Sequence, residues 1–180
     1  VLIIKNYQNN VFTTPSGKEI SFNDVYQHIS NILSGLYSLG GKYDVAVIEE
    51  LVHFSDIFKK YSYQGIPDVR VIVYQGYPAM AMTRLSTAES GGRANLHQGA
   101  IGVGLDIKTG NSLCAVQHNR PVSKHPDTGE NLFDIKVPLW HEHLEIAAKA
   151  FEMTGLGYLG ADIVLDKFKG SRIVRMDADT

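Results

Sequence analysis

The sequence predicts an α+β fold, with two amphipathic helices lying on antiparallel strands joined by hairpins. Apolar residues recur at helical spacing in two places: Val25, Ile29, Ile32, Leu33 and Leu36, and then positions 140, 144, 147, 148 and 151. Strand-like runs come in pairs around turn signals, at Gly76, at Lys108-Thr109-Gly110 and at Asp166-Lys167-Phe168-Lys169-Gly170. No internal repeat or low-complexity segment interrupts the pattern.

In chain order, residues 1–5 predict a short apolar strand, Tyr7-Gln8-Asn9-Asn10 a polar turn and residues 11–14 the return strand. Ser21 is a good helix N-cap, with Asp24 in the first turn to complement the helix dipole. That helix turns its five apolar positions to the core and stops at Gly40-Gly41. Residues 43–52 alternate as a strand, and 54–61 form a short helix or turn. Hairpins follow at 69–74 with 78–85 and at 105–107 with 112–117. Residues 118–137 are rich in Pro, Asp, Asn and Gly and predict a long surface loop. A second helix covers 140–153, ended by Thr154-Gly155, and the last hairpin pairs 158–165 with 172–176.

The 180 residues suffice for one sizeable domain or two small lobes. Hydrophobic residues make up 44% and charged residues 20%, as in ordinary soluble domains. A net charge of -2 argues against nucleic acid or an anionic membrane as the main partner. Cys114 is the one cysteine, so no intramolecular disulfide forms; its apolar run predicts a buried, inert thiol and a cytoplasmic setting. No run approaches the roughly 20 apolar residues of a membrane span. The sequence begins as though in mid-strand, which reads as a piece of a longer protein.

Chemistry concentrates in Arg93-Ala94-Asn95-Leu96-His97-Gln98-Gly99, a polar cluster between apolar runs. Arg93 offers a fixed fork of donors for phosphate or carboxylate, and Asn95 both donates and accepts. The alternative is a solvated loop in which Arg93 and Asn95 cap strand ends. Asp68 and Arg70 share one face of a strand whose neighbours are Val69, Val71 and Val73, so they need a ligand or each other. The alternative there is an exposed ion pair of little value. His141-Glu142-His143 does not predict a metal site, because helix positions i and i+2 point about 200° apart. These histidines read as a solvated face, and His118 and His125 as residues of a polar loop with no catalytic role.

The Arg93–Gly99 segment resembles the Arg-x-Asn-Leu-His-x-Gly stretch of RimK-type glutamate ligases in the ATP-grasp superfamily. The nearest branch is the alpha-L-glutamate ligase-like, sugar-transfer-associated ATP-grasp proteins. Residues 28–41, Asp68-Val69-Arg70 and Gly160-Ala161-Asp162-Ile163-Val164-Leu165-Asp166 agree in order, so the likeness spans nearly the whole chain. It implies a partial ATP-grasp fold, with residues 1–46 in the small lobe and 47–180 in the large lobe. It implies an ATP-dependent carboxylate–amine ligase working through an acyl phosphate, with ATP and Mg2+ as cofactors. The partners would be a small-molecule or peptide carboxylate and an amino-acid amine such as glutamate.

By the same resemblance Glu49, Glu50, Leu51 and Val52 would be the adenine hinge at a strand end; the other reading is two exposed acids closing a strand. Asp68 would lie near ATP; Arg70, near the phosphates or the acyl phosphate, would be catalytic together with Arg93 and Asn95, which would also bind the nucleotide; and Asp162 and Asp177 would hold magnesium. Two departures stand out. The family's Gly-rich phosphate loop is expected before residues 1–5, and Lys5 does not replace it, since no glycine follows. The family's Glu-x-Asn-x-Arg strand is matched here by Arg175, Asp177 and Asp179, and Arg175 cannot ligate a metal. Without a metal, Arg175 is expected to pair with Asp162 or Asp177. These departures support the alternative of a catalytically inactive ATP-grasp-like binding or structural module.

Overall fold

A computed structural model describes residues 2–178 and divides the chain into two compact units, Val1–Val52 and His53–Thr180. In the first unit, β1 (Asn6–Gln8), β2 (Val11–Thr13) and β3 (Glu19–Ser21) form an antiparallel meander that leads into α1 (Phe22–Leu33). The β1–β2 turn is Asn9-Asn10 alone, both at positive φ (50° and 61°). Asparagine tolerates that conformation, and two such residues close a tight hairpin. The first strand therefore lies later than expected, and Tyr7 and Gln8 belong to it instead of to the turn. Val1 lies outside the described residues.

Ser21 caps α1 as expected, in a reciprocal box: its Oγ accepts from the Asp24 N–H, and the Asp24 carboxylate accepts from the Ser21 N–H. The helix ends at Leu33, before Gly40-Gly41. Gly35 (φ 79°) turns the chain away, and a Cβ there would stand 2.2 Å from the Lys42 carbonyl oxygen. The apolar stripe of α1 is only half covered: no α1 residue is buried, and Leu33 and Leu36 are exposed. The expected strand at 43–52 does not form. Its alternation is present, but no neighbouring strand completes a ladder, and Tyr43, Val45, Val47 and Ile48 are exposed.

The second unit is a seven-stranded antiparallel sheet. Its strands are β4 (Asp68–Tyr74), β5 (Tyr77–Leu85), β6 (Ile101–Leu105), β7 (Ser112–Gln117), β8 (Arg120–Pro121), β9 (Tyr158–Asp166) and β10 (Gly170–Asp177). They lie in the order β10-β9-β4-β5-β6-β7-β8. The helix α2 (Trp140–Thr154) packs on one face through Trp140, Ala147 and Ala150, against Val69, Val71, Val73, Leu85, Leu159 and Ile163. A 3-10 turn at Asp56–Tyr61 adds Phe58 and Tyr61 to this core.

Three local expectations are corrected. Residues 118–137 are not a surface loop throughout, because His125, Leu132, Ile135 and Val137 are buried. His143 is not on the solvated face of α2. It is fully buried, with Nδ1 3.1 Å from the Leu139 carbonyl oxygen and 2.9 Å from Ser171 Oγ. The buried stripe of α2 runs through 140, 143, 147 and 150, so a histidine takes a position that composition assigns to solvent. Cys114 is exposed, because it sits on the uncovered face of β7.

Candidate functional site

Period-two alternation splits β4 between the two faces of its sheet. Val69, Val71 and Val73 go to the α2 side, and Asp68 and Arg70 to the other. Register then assembles charges from four strands. Arg70 stands opposite Asp162 on β9, Asp68 opposite Arg84 on β5, and Asp162 opposite Arg175 on β10.

The side chains form one connected lattice. Arg70 donates from Nη1 to Asp162 Oδ1 (2.8 Å) and from Nη2 to Asp177 Oδ2 (3.2 Å). Arg84 donates to both oxygens of Asp68 and from Nη2 to Asp162 Oδ2 (2.8 Å). Arg175 donates from Nε and Nη2 to Asp177 Oδ1, each at 2.9 Å. Arg70 and Asp162 are buried, whereas the Arg175 side chain is 68% exposed. Burial pushes the Asp68 carboxyl upward and the Arg84 guanidinium opposes it; with two N–H donors on its oxygens, the carboxylate is the form that this geometry holds. Asp68 in turn raises Arg84 above its ordinary range, fixing its charge.

Arg84 was not among the residues singled out from sequence. Counting from the turn places Thr83 opposite Asp68, but a bulge between Ile72 and Val73 adds one residue to β5 and brings Arg84 there instead. Pro78, which lacks an N–H and is tolerated at bulges, is the signal in the sequence. A second bulge, at Val174, sets Arg175 opposite Asp162.

Arg93 and Asn95 lie in the 86–100 connection between β5 and β6. Asn95 caps a 3-10 turn, its Oδ1 accepting from the His97 N–H at 3.0 Å, and Arg93 is exposed. Their described hydrogen bonds stay within this loop, where Asn95 Oδ1 caps a 3-10 turn and not a strand end. The base of the loop is firmly held. His125 Nδ1 accepts from the Asp127 and Thr128 N–H groups, which leaves Nε2–H to donate to the Ser86 carbonyl oxygen at 3.0 Å. Ser86 Oγ meets Ser62 Oγ at 2.7 Å, and a Cβ on Gly65 would stand 2.2 Å from the Gly92 carbonyl oxygen.

Glu49, Glu50, Leu51 and Val52 end the first unit in an irregular segment, so the expected strand end is absent. Just beyond it, the His53 N–H donates to Asp166 Oδ2 at 2.9 Å. Asp166 also accepts from the Phe168 and Lys169 N–H groups, and these donors, Phe168 first, hold its carboxyl below the usual range.

The chain matches the sequence model of a family described as sugar-transfer associated ATP-grasp over residues 1–179. It belongs to that family. No curated protein and no solved structure matches it. The antiparallel sheets with few helices are compatible with a partial ATP-grasp domain. ATP-grasp proteins are in general ATP-dependent ligases that use ATP and Mg2+ and join carboxylates to amines. Among the described residues no helix is long and apolar enough to cross a membrane.

Magnesium requires about six oxygen ligands close to an octahedron. The described residues do not fit it: the four oxygens of Asp162 and Asp177 each face a guanidinium. No group of three His, Cys, Asp or Glu suited to a metal occurs among the described residues. Asp179 lies outside them.

Proposed function

We propose that this chain is part of the catalytic domain of an ATP-dependent ligase that joins a carboxylate to an amino-acid amine, with glutamate or a related amino acid as the class. Residues 1–46 would contribute to the small ATP-grasp lobe and 47–180 to the large one. The observation that carries the reading is the buried Arg–Asp lattice on β4, β5 and β9, in a chain whose family match covers residues 1–179. Guanidiniums fixed in orientation by carboxylates, Arg70 buried and Arg84 partly so, are ready-made donors for a phosphoryl group.

In this chemistry a carboxylate oxygen attacks the terminal phosphorus of ATP and ADP leaves. The amine then attacks the acyl carbon, phosphate departs, and the nitrogen loses a proton. Arg70 would stabilise the charge that builds on the transferred group, held in place by Asp162 and Asp177. Asp68 would act through Arg84, keeping it charged and oriented. Arg93 would add a solvent-facing guanidinium, and Asn95, with Oδ1 engaged in its cap, would present its amide N–H groups. Residues Glu49, Glu50, Leu51 and Val52 would contact adenine through backbone groups. A cytoplasmic protein is part of this reading.

A second reading, a catalytically inactive ATP-grasp-like module, is favoured by one observation: guanidiniums engage every oxygen of Asp162 and Asp177. Hydroxylamine trapping separates the two. A ligase given ATP, Mg2+ and glutamate yields a hydroxamate; an inactive module yields none while still binding ATP.

A further inference from the structure

The position between Asp162 and Asp177, where a shared divalent cation would sit, is taken by Arg70. Its two terminal nitrogens reach one oxygen of each carboxylate, at 2.8 and 3.2 Å. The remaining oxygens are engaged as well, Asp162 Oδ2 by Arg84 and Asp177 Oδ1 by Arg175. Among the described residues of this lattice, three carboxylates (Asp68, Asp162, Asp177) meet three guanidiniums (Arg70, Arg84, Arg175), so their charges balance without a cation.

We infer that Arg70 is the resident counter-ion of Asp162 and Asp177, and that these carboxylates hold no divalent metal. Arg175 is not the decisive obstacle, although it is the residue standing at a ligand position in the family pattern. Its side chain is largely exposed, so it can swing into water, and Arg70 would still span both carboxylates. A dication entering beside Arg70 meets a fixed positive charge inside a buried, weakly screened site. Arg70 and Arg84 keep their places on this face without a metal. The inference thus concerns the same face as the ligase reading without depending on it.

The test is a Mn2+ titration of the full chain followed by paramagnetic broadening of the amides of Gly160, Ala161, Asp162 and Asp177. Wild type should show no site-specific broadening there at millimolar Mn2+, and Arg175→Gln should behave the same. Arg70→Met should gain it, with affinity tightened about tenfold or more, because one positive charge leaves the lattice while each carboxylate keeps another partner. Broadening centred on these amides in wild type, or its appearance in Arg175→Gln alone, would overturn the inference. A folded Arg70→Met that gains nothing would also overturn it. A parallel metal-free ATP titration reports on the nucleotide reading separately.

Discussion

Two residues in the second unit carry opposite lessons about burying a polar group. His143 is fully buried, its Nε2 has no hydrogen-bond partner among the described residues, and burial lowers its pKa below the ordinary 6.5. The unfolded chain therefore takes up this proton before the folded one does. Stability contributed near neutrality is lost as pH falls from about 6.5 through the lowered folded value, and the loss levels off below it. Urea denaturation at pH 7.5 and 5.5 should show a smaller loss in His143→Phe than in wild type; equal losses would contradict this. Arg84 is the reverse case, a partly buried charge paired with Asp68 and Asp162. Arg84→Met leaves the partly buried Asp68 without its guanidinium and should cost about 2 kcal/mol. Arg175→Gln at the solvent edge should cost under about 1 kcal/mol. The sequence made the pairing of Asp68 and Arg70 with something legible, because charges alternate with valines. It did not name the partner, since a one-residue bulge moves Arg84 into place and pattern alone does not count bulges.

At the scale of elements, local signals are legible in the sequence, whereas tertiary pairings are not. The capping box of α1 is written in Ser21 and Asp24, and Ser21→Ala should lower helix stability by about 1 kcal/mol, measurable by amide exchange across Phe22–Leu33. The hairpins of β4–β5 and β9–β10 were legible from turn chemistry. The strand expected at 43–52 was not formed, because alternation describes a face while a strand also needs a neighbour for its backbone groups. Residues 118–137 look polar on average, yet Leu132, Ile135 and Val137 reach the core. Their neighbour His125 ties this segment to Ser86 at the base of the Arg93 loop. Gly65→Ala should force that loop off its footing, since its Cβ would collide with the Gly92 carbonyl and Ser86 Oγ. A loss of about 2 kcal/mol or more is expected, with faster amide exchange over residues 86–93.

At the scale of the molecule, the sheet of the second unit separates two jobs by face. One face packs on α2 and holds the unit together; the other gathers Asp68, Arg70, Arg84, Asp162, Asp177 and Arg175 from four strands. The family likeness was legible because it rests on ordered motifs, whereas the closed lattice depends on side-chain reach across strands, which no linear pattern states. An open depression of about 490 Å³, lined by Phe54, Asp56, Lys59, Gln64, Ile66 and Pro67, offers a rival place for a ligand. The most direct test is an ATP titration of the isotope-labelled full chain, followed by amide chemical shifts. The account predicts that Asp68–Ile72, Arg84, Arg93 and Ala161–Ile163 shift together with one affinity, and that Arg70→Met abolishes the concerted response. Shifts confined to the depression around Lys59, or unchanged by Arg70→Met, would contradict it.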